Sequence, residues 1–387
     1  MMKEIFQATA GFLRSEPPVS LVTVTRSIGS TPRHAAAKMV VRADGSFVGT
    51  IGGGTMEKKA IQDAQTAMTE HLSRLAKYPL IGKSAQSLGL CGGTQEVFID
   101  VLSSTPGNGQ PQELIDLCET IVAACQAGEP AALITVVKSR ENAPWPLGAK
   151  ALLRYDKSIY GKLGDDGLGP ELVTSAHTAL QQNRPMRLGY RAKDDSFIEL
   201  SSYKSEAIEF FVDVIQPRSE LLIIGAGHIG LALAELGRML GWRVIVVDDR
   251  LEWAQRFPEA DETMIVAYDA KSEALDPMPL TITPSTHIVV ATWGWDQPAL
   301  AQVVNSPAAY ISLVASRRKA KIIFDGLLEQ GLSEAALERV RVPAGLHLGA
   351  ETPPEIALSI MAEILLLQRG ATGQTMLERK GHPLSLR

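Results

Sequence analysis

A glycine-rich segment in the later part of the chain has the spacing of a nucleotide-binding loop. Gly225, Gly227 and Gly230 follow a short apolar run at residues 221–224 and open a helical pattern. In such a loop the first glycine permits a tight turn, the second lets the backbone approach a phosphate, and the third lets helix and strand pack closely. The amino end of the helix offers free N–H groups to an anion. His228 lies inside the loop, where it either faces the ligand or packs at the helix start.

An acidic residue stands where a loop of this kind places one. Asp248 follows a second apolar run, 18 residues after Gly230, and a carboxylate at this position accepts hydrogen bonds from a ribose. Because its charge repels a 2′-phosphate, we expect a preference for the dinucleotide without one. Arg317 belongs to a basic run after a later strand, and holds phosphate or a partner protein unless it is a solvated surface charge. A Rossmann fold without a nucleotide is the alternative, since fold does not fix function.

The earlier part of the chain contains two copies of one sequence pattern. Residues 19–52 align without a gap on residues 131–164, 112 positions later, with 12 identities in 34 positions. The match resumes with residues 96–101 and 209–214, now 113 positions apart. In each copy three β-branched or apolar runs precede a helical pattern, which covers residues 56–77 in the first copy, and a last strand closes the unit. Such a repeat predicts one domain built from two related halves.

These patterns together predict an α/β protein of two domains. Residues 1–216 form an α+β domain whose halves cover about residues 19–102 and 131–216. Residues 217–370 form a Rossmann-like domain with a parallel sheet, because short apolar runs alternate there with helical patterns. Residues 371–387 are polar and basic and are expected to be a mobile tail.

The two halves differ where chemistry could take place. The first half has Gly52-Gly53-Gly54 where the second has Gly164-Asp165-Asp166, and it has a cation and a thiol where the second half has other residue types. The second half is therefore interpreted as a structural partner. The candidate residues of the first half are Arg33, His34, Gly52, Gly53, Gly54, Cys91, Gly92 and Gly93.

Composition excludes several classes of protein. A formal net charge of −5 and a pI near 5.9 argue against nucleic-acid binding. We expect no membrane span and no signal peptide, because no apolar run has the required length or flanks. Three scattered cysteines fit a reducing cytoplasm, with Cys118 and Cys125 in the core. The seven histidines lack metal-ligand spacing, so no zinc or iron site is expected.

Several motifs occur in an order that resembles the XdhC–CoxI family, the xanthine dehydrogenase accessory proteins. They lie at residues 29–33, 49–54, 90–93, 96–98, 225–228, 316–319 and 345–353. The resemblance implies a chaperone that binds molybdenum cofactor, protects it during sulfuration and delivers it to a molybdenum hydroxylase, without turnover of its own. It implies a hydroxylase and a cysteine desulfurase as partners. NAD or another nucleotide is a second expected ligand, and a homodimer is one open oligomeric state.

The resemblance also suggests roles for the candidate residues. The cofactor is an anionic pterin with a phosphate tail, so Gly52–Gly54 would present N–H groups as an anion nest and Arg33 would clamp phosphate. Cys91 would contact the metal or its sulfur, and His34 would donate a proton. The structural alternatives are a tight turn for the glycines, surface positions for Arg33 and His34, and a small buried residue for Cys91.

Two other functions remain open on the sequence alone. One is an NAD-dependent oxidoreductase, which depends on the Rossmann loop only. The other is a nucleotide-binding scaffold for hydroxylase assembly that makes no contact with molybdenum cofactor.

Overall fold

Two units make up the chain, a first unit at Met1–Pro217 and a second unit at Arg218–Arg387. The predicted α/β class, with an antiparallel first part and a parallel Rossmann-like second part, is confirmed. The computed structural model describes residues 2–29, 35–80, 93–103, 111–164, 169–200, 205–254, 256–258 and 260–380.

The first half of the first unit is a five-stranded antiparallel sheet with the order β3-β2-β1-β5-β4. Its elements are α1 (Met2–Ser15), β1 (Val19–Ile28), β2 (Lys38–Val41), β3 (Phe47–Gly49), α2 (Gly54–Glu70), β4 (Arg74–Pro79) and β5 (Thr94–Leu102). The prediction of a helix as far as residue 77 is wrong. Helix α2 stops because His71 takes a left-handed conformation with φ of 53°, and residues 74–79 instead pair with β5 at the sheet edge.

The second half repeats this arrangement after a connecting helix, α3 (Pro111–Gln126). Its elements are β6 (Ala131–Lys138), β7 (Lys150–Leu153), β8 (Ile159–Lys162), α4 (Pro170–Gln181), β9 (Met186–Arg191), β10 (Ser196–Glu199) and β11 (Ile208–Ile215). The sheet order is β8-β7-β6-β11-β9-β10, which equals the order of the first sheet with one added edge strand, β10. The sequence repeat is therefore also a repeat of the fold.

Identical residues of the two copies perform the same structural task. Gly49 and Gly161 both have positive φ, 96° and 79°. A Cβ atom at Gly49 would lie 2.5 Å from the carbonyl oxygen of Lys38, and one at Gly161 would lie 2.8 Å from that of Lys150. Only glycine tolerates both the backbone conformation and this contact, which explains why each copy has glycine here.

The core of the first unit has three layers of apolar side chains. Helix α2 packs on one face of the first sheet against residues such as Val22 and Val24. Helix α4 covers the second sheet in the same way. Helices α1 and α3 pack together and bury residues from both sheets, among them Leu21 and Leu133. The first unit is therefore one body with a shared core rather than two independent repeats.

Buried ion pairs connect the two halves reciprocally. Lys38 of the first half lies 2.5 Å from Asp213 of the second, measured from Nζ to Oδ2. Lys150 of the second half lies 2.6 Å from Asp100 of the first. All four side chains are at most 5% exposed. Because Lys38 and Lys150 are equivalent in the repeat, as are Asp100 and Asp213, each lysine neutralises the aspartate of the other half.

A third buried cation reinforces this interface. Arg187 contacts Glu96 of the first half and Glu209 of the second. Burial disfavours the charged form of Glu96, but the charges of Arg187 and Arg26, with hydrogen bonds from Lys77 and Arg187, hold its pKa below the ordinary value. Arg187 therefore compensates one carboxylate of each half.

The second unit contains a six-stranded parallel sheet with the order β14-β13-β12-β17-β18-β19. The strands and first helices are β12 (Glu220–Ile224), α5 (His228–Met239), β13 (Arg243–Asp248), α6 (Leu251–Ala254), β14 (Glu262–Ile265), β15 (Tyr268–Asp269), β16 (Ala274–Leu275) and β17 (Thr286–Val290). The remaining elements are α7 (Asp296–Val303), β18 (Tyr310–Leu313), α8 (Arg317–Glu329), α9 (Glu334–Leu337), β19 (Val340–Arg341), α10 (Pro353–Arg369) and α11 (Met376–Lys380).

Helix α10 begins at a capping box and ends at a glycine. Thr352 and Glu355 form a capping box, and Gly370 stops the helix in a left-handed conformation with φ of 57°. Gln368 near its end donates a 2.8 Å hydrogen bond to Ser219, just before β12. The carboxyl end of α10 therefore lies at the amino edge of the sheet. Among the described residues, no helix is long and apolar enough to span a membrane.

Candidate functional site

The three glycines of the glycine loop, residues 225–230, meet different surroundings. Gly225 has φ of +118°, and a Cβ atom there would lie 2.2 Å from the carbonyl oxygen of Ala291. A Cβ atom at Gly230 would lie 2.3 Å from the carbonyl oxygen of Gly225. At Gly227 a Cβ atom would meet nothing within 4 Å. Gly225 and Gly230 are thus required by packing, whereas the space beside Gly227 is open to a ligand.

Neighbouring strands hold the loop in place. Gly225 donates a 2.8 Å hydrogen bond to the carbonyl of Val247 in β13, and Ala226 donates one of 2.5 Å to the carboxylate of Asp248. Ala291, after β17, donates to the carbonyl of Ile224 at 2.8 Å. The loop therefore lies between the carboxyl ends of β13 and β17, the edge at which open α/β sheets bind ligands.

Asp248, the predicted ribose acceptor, is fully buried. Its two carboxylate oxygens accept four hydrogen bonds, from the N–H of Ala226 and from the N–H, Nε and Nη2 of Arg250, at 2.5–3.1 Å. Burial opposes the charged form, but these hydrogen bonds hold the pKa of Asp248 below its ordinary value. A ribose would have to displace Arg250 to reach it, so its role toward a ribose remains a prediction.

Two arginines stack on one tryptophan beside this carboxylate, a contact that was not predicted from the sequence. The guanidinium carbons of Arg250 and Arg256 lie 4.7 and 4.9 Å from the ring centroid of Trp253. His228 of the glycine loop meets the same ring edge-on, with 5.6 Å between centroids. The arginines that follow Asp248 in the sequence are the signal that could have indicated this contact. These residues give the mouth of the loop a cationic and aromatic wall.

Arg317 lies at the first position of helix α8, after β18, and is exposed. Ser316 caps this helix by accepting a hydrogen bond from the N–H of Lys319. Lys319 in turn pairs with buried Asp296 at 2.5 Å. In the part of the chain that the structure describes, no hydrogen bond or ion pair joins Arg317 to the glycine loop. Its phosphate-binding role also remains a prediction.

The first unit has its own glycine turn, Gly52–Gly54, immediately before α2. All three residues have positive φ, at 137°, 76° and 69°. The carboxylate of Glu57, in the first turn of α2, accepts hydrogen bonds from the hydroxyl of Thr50 at 2.6 Å, from the N–H of Ile51 at 2.9 Å and from the N–H of Gly53 at 3.2 Å. The turn can therefore bind an anion, and the chain's own carboxylate is the anion that it holds.

Replacing Glu57 by alanine is expected to lower the free energy of unfolding of the first unit by about 1–3 kcal/mol, because three donors lose their acceptor. Chemical denaturation measures this loss. Glu70→Ala, at the other end of the same helix, is the matched control. It removes a partly exposed pair with Arg74, and such an i,i+4 pair contributes about 0.5 kcal/mol or less. Equal losses in the two variants would show that Glu57 does not hold the turn.

Of the other candidates in the first half, Gly93 is described, and its carbonyl accepts a 2.7 Å hydrogen bond from the N–H of Leu80. Those outside the described residues are Arg33, His34, Cys91 and Gly92. Cys118 and Cys125 are in or against the core, as predicted. Burial raises the pKa of the Cys118 thiol to about 12. The described residues contain no cluster of three or more histidine, cysteine or acidic side chains able to hold a metal.

The strand register brings the strand ends that flank the candidate segments to one edge of the first sheet. Ile28 at the end of β1 pairs with Thr94 at the start of β5, and Pro79 at the end of β4 pairs with Thr94 as well. The connection that carries Arg33 therefore starts beside both ends of the connection that carries Cys91. Strand β3 ends beside the start of β2 at this same edge, so the glycine turn follows there too. We call it the candidate edge.

The equivalent edge of the second half is filled by aromatic side chains. Trp145, which occupies the position of Arg33 in the repeat, packs edge-on against Tyr190, Phe197 and Phe210 with centroid distances of 4.7, 5.9 and 5.4 Å. Such a cluster of aromatic side chains stabilises the fold. This difference agrees with the interpretation of the second half as a structural partner.

Comparison with known proteins gives the same two-part division. Residues 12–79 and again residues 124–191 match the XdhC and CoxI family, and residues 221–364 match the XdhC Rossmann domain. The two matches to the XdhC and CoxI family are 112 positions apart, the same displacement as the internal repeat. Both halves of the first unit are therefore copies of one family module.

Individual relatives agree with these matches. The chain is 24% identical over 360 residues to a probable xanthine dehydrogenase subunit from Bacillus subtilis (strain 168), covering 91% of this chain and 94% of that one. It is 33% identical over 257 residues to "Uncharacterized protein YqeB" of Escherichia coli (strain K12), covering 66% of this chain but only 46% of that protein.

A solved structure shares the fold. The crystal structure of a xanthine dehydrogenase from Bacillus halodurans superposes with a TM-score of 0.60 at 21% identity, covering 100% of this chain and 99% of that one. At this identity the likeness supports the fold alone. The motifs, the matched segments and the fold agree, and the chain belongs to the XdhC and CoxI family of xanthine dehydrogenase accessory proteins.

Proposed function

We propose that this accessory protein binds molybdenum cofactor at the candidate edge, protects it during sulfuration and delivers it to a molybdenum hydroxylase. Family membership supports a role with such an enzyme, and so does the Bacillus subtilis relative, whose name places it in a xanthine dehydrogenase. A hydroxylase and a cysteine desulfurase are the proposed partners. A homodimer is compatible with this role but is not required by it.

One observation carries the proposed location of the cofactor site. In the first half the strand ends that flank the segments with Arg33 and Cys91 share one edge with the end of β3, which precedes the glycine turn. In the second half a cluster around Trp145 fills the equivalent place. Two copies of one module thus have the same scaffold, but the second has Trp145 where the first has Arg33. A ligand-binding role for the first edge explains this divergence.

The donors at this edge suit an anionic pterin cofactor. The glycine turn already holds one carboxylate, that of Glu57, with two N–H groups, so a phosphate would compete with that side chain for the same donors. Arg33 would contribute charge-assisted hydrogen bonds to the phosphate. Cys91 would supply a sulfur ligand or a contact to the metal-bound sulfur. Molybdenum cofactor supplies the redox-active metal of the hydroxylase that receives it.

The second unit supports a second ligand, a nucleotide. Its glycine loop leaves open space at Gly227 and meets the amino end of α5, where free N–H groups attract a phosphate. We place NAD or a related nucleotide there, as a ligand that controls loading or delivery. No turnover of this nucleotide is proposed.

The test is retention of the cofactor by the purified full-length protein. We expect Arg33→Ala combined with Cys91→Ala to reduce the molybdenum and pterin content after anaerobic purification by about ten-fold or more. Loss of one charge-assisted hydrogen bond alone accounts for about 1.5–3 kcal/mol. Transfer of the retained cofactor to an apo-hydroxylase should fall in parallel.

Matched substitutions separate this loss from general damage. Arg140 is an exposed arginine of the second half, and Cys125 is a half-buried thiol of α3. Arg140→Ala combined with Cys125→Ala should retain the cofactor as the unmodified protein does. Unchanged retention in the Arg33 and Cys91 variant contradicts the proposed site. Steady turnover of a nicotinamide dinucleotide by the purified chain would favour an oxidoreductase instead.

A further inference from the structure

We infer that the second unit selects a nucleotide whose ribose carries a 2′-phosphate, as NADP does, and that Arg250 and Arg256 recognise this phosphate. The inference depends on the nucleotide site proposed for the glycine loop and names the ligand class of that site. It reverses the preference that Asp248 alone predicts from the sequence. The contacts around Asp248, the position of the two arginines and the remaining charges carry the argument.

Asp248 is not available to a ribose in this structure. Four hydrogen bonds occupy its carboxylate, and the side chain is fully buried. A carboxylate accepts about four hydrogen bonds in all, so no acceptor capacity remains for two ribose hydroxyls. Its charge is also compensated by Arg250, which weakens the repulsion of a 2′-phosphate. The acid thus fixes the glycine loop and Arg250 rather than the ligand.

Arg250 and Arg256 form the surface at the end of β13. Arg250 uses Nε and Nη2 on Asp248, which leaves Nη1 to point away from that carboxylate. Both guanidinium groups stack on Trp253, and stacking fixes their planes without consuming their N–H donors. In dinucleotide-binding folds the ribose lies at the end of this second strand, where an arginine accommodates a 2′-phosphate.

Two further acidic side chains, Asp249 and Glu252, lie close to Arg250. Asp249 accepts a 3.2 Å hydrogen bond from Trp295 Nε1, and its carboxylate lies 3.6 Å from Arg250 Nε. Glu252, in the short helix α6, is exposed, and its charge also acts on Arg250. His228 of the glycine loop packs against Trp253 with 5.6 Å between ring centroids. A 2′-phosphate at this position would contact the guanidinium groups of Arg250 and Arg256, which lie over the same ring beside the glycine loop.

Titration calorimetry of the full-length protein with NADP⁺ and NAD⁺ tests the inference. We expect NADP⁺ to bind about ten-fold or more tightly than NAD⁺, because a charge-assisted contact is added. The adenosine fragments of the two dinucleotides should show the same order of affinity, with 2′,5′-ADP binding more tightly than 5′-AMP. Tighter binding of 3′,5′-ADP than of 2′,5′-ADP would overturn the assignment to the 2′ position.

Variants of Arg250 and Arg256 provide a second test of the inference. Arg256 is exposed and its contact is the stack on Trp253, so Arg256→Ala should fold normally and reduce the preference for NADP⁺ several-fold. Arg250→Gln should reduce it further. Arg369→Ala is the matched control, because Arg369 is exposed at the end of α10, at the opposite edge of the sheet.

The outcomes distinguish the inference from the proposed function. Equal or tighter binding of NAD⁺ overturns the inference and leaves the nucleotide site intact. An unchanged preference in both Arg256→Ala and Arg250→Gln also overturns it. If neither dinucleotide binds to the folded protein, the nucleotide part of the proposed function fails together with the inference.

Discussion

Replacing Lys38 by methionine will lower the free energy of unfolding of the first unit by about 3–5 kcal/mol. The lysine and its partner, Asp213, are each 2% exposed. Among the described residues, Lys38 is the cation within 4 Å of the carboxylate of Asp213. The charge of Lys38 is therefore what compensates this aspartate, and its removal leaves a buried, uncompensated carboxylate.

The double variant Lys38→Met with Asp213→Leu should recover most of this loss. Both charges are then gone, and replacing a buried pair by apolar side chains of similar size is often neutral or stabilising. Lys59→Met is the control, because it breaks an exposed pair with Asp63 that contributes about 1 kcal/mol or less. Denaturation should be followed for each unit separately, since a chain of two units does not unfold in one step.

A single variant with a loss no larger than that of Lys59→Met would show that the buried pair does not join the halves. A double variant that is as unstable as the single variant would show that packing around Lys38, rather than charge, is the cause. The equivalent pair, Lys150 with Asp100, gives an independent repetition of the experiment within the same molecule.

The repeat could be predicted from sequence, but its interface could not. The identities of Lys38 with Lys150 and of Asp100 with Asp213 are visible in the alignment of the two copies. These identities are equally compatible with an ion pair between the lysine and the aspartate of the same half. The structure shows the exchanged pairing, which depends on how the two sheets pack, and local patterns hold no information on that.

Strong local signals in the sequence set the boundaries of some helices. The capping box of Thr352 with Glu355 and the stop at Gly370 fixed helix α10. The prediction failed at residues 74–79. The helix predicted from the sequence extended as far as residue 77, but residues 74–79 form a strand that pairs with β5. An edge strand of mixed composition has little intrinsic preference for strand over helix, so pairing with the neighbouring strand determines its conformation.

At both candidate sites the sequence identified the glycines and missed the chain's own carboxylate. Glu57 fills the donors of the glycine turn at Gly52–Gly54. Asp248 accepts the N–H of Ala226 in the glycine loop. A motif shows which backbone can bind an anion, whereas side-chain directions decide which anion is bound first. Substitutions in the two loops must therefore separate effects on folding from effects on ligand binding.

The glycine loop offers such a separation within six residues. Gly225→Ala will destabilise the second unit by about 2–5 kcal/mol, because alanine is strained at positive φ and its methyl group overlaps the backbone at Ala291. Gly227→Ala will cost only about 0.5–1 kcal/mol, the usual loss at a helix N-cap, because φ is −78° and the added methyl group meets nothing within 4 Å.

Ligand binding should show the opposite order. The methyl group of Gly227→Ala occupies the open space where a phosphate would approach the backbone, so this variant should fold and yet lose nucleotide binding by about ten-fold or more. Chemical denaturation and titration calorimetry on the same preparations measure the two effects. If Gly227→Ala binds the nucleotide as well as the unmodified chain, the phosphate does not use this loop. If Gly225→Ala is as stable as Gly227→Ala, the close contact with Ala291 does not constrain it. In that case the two glycines do not differ in their structural role, and the open space at Gly227 does not mark the ligand site.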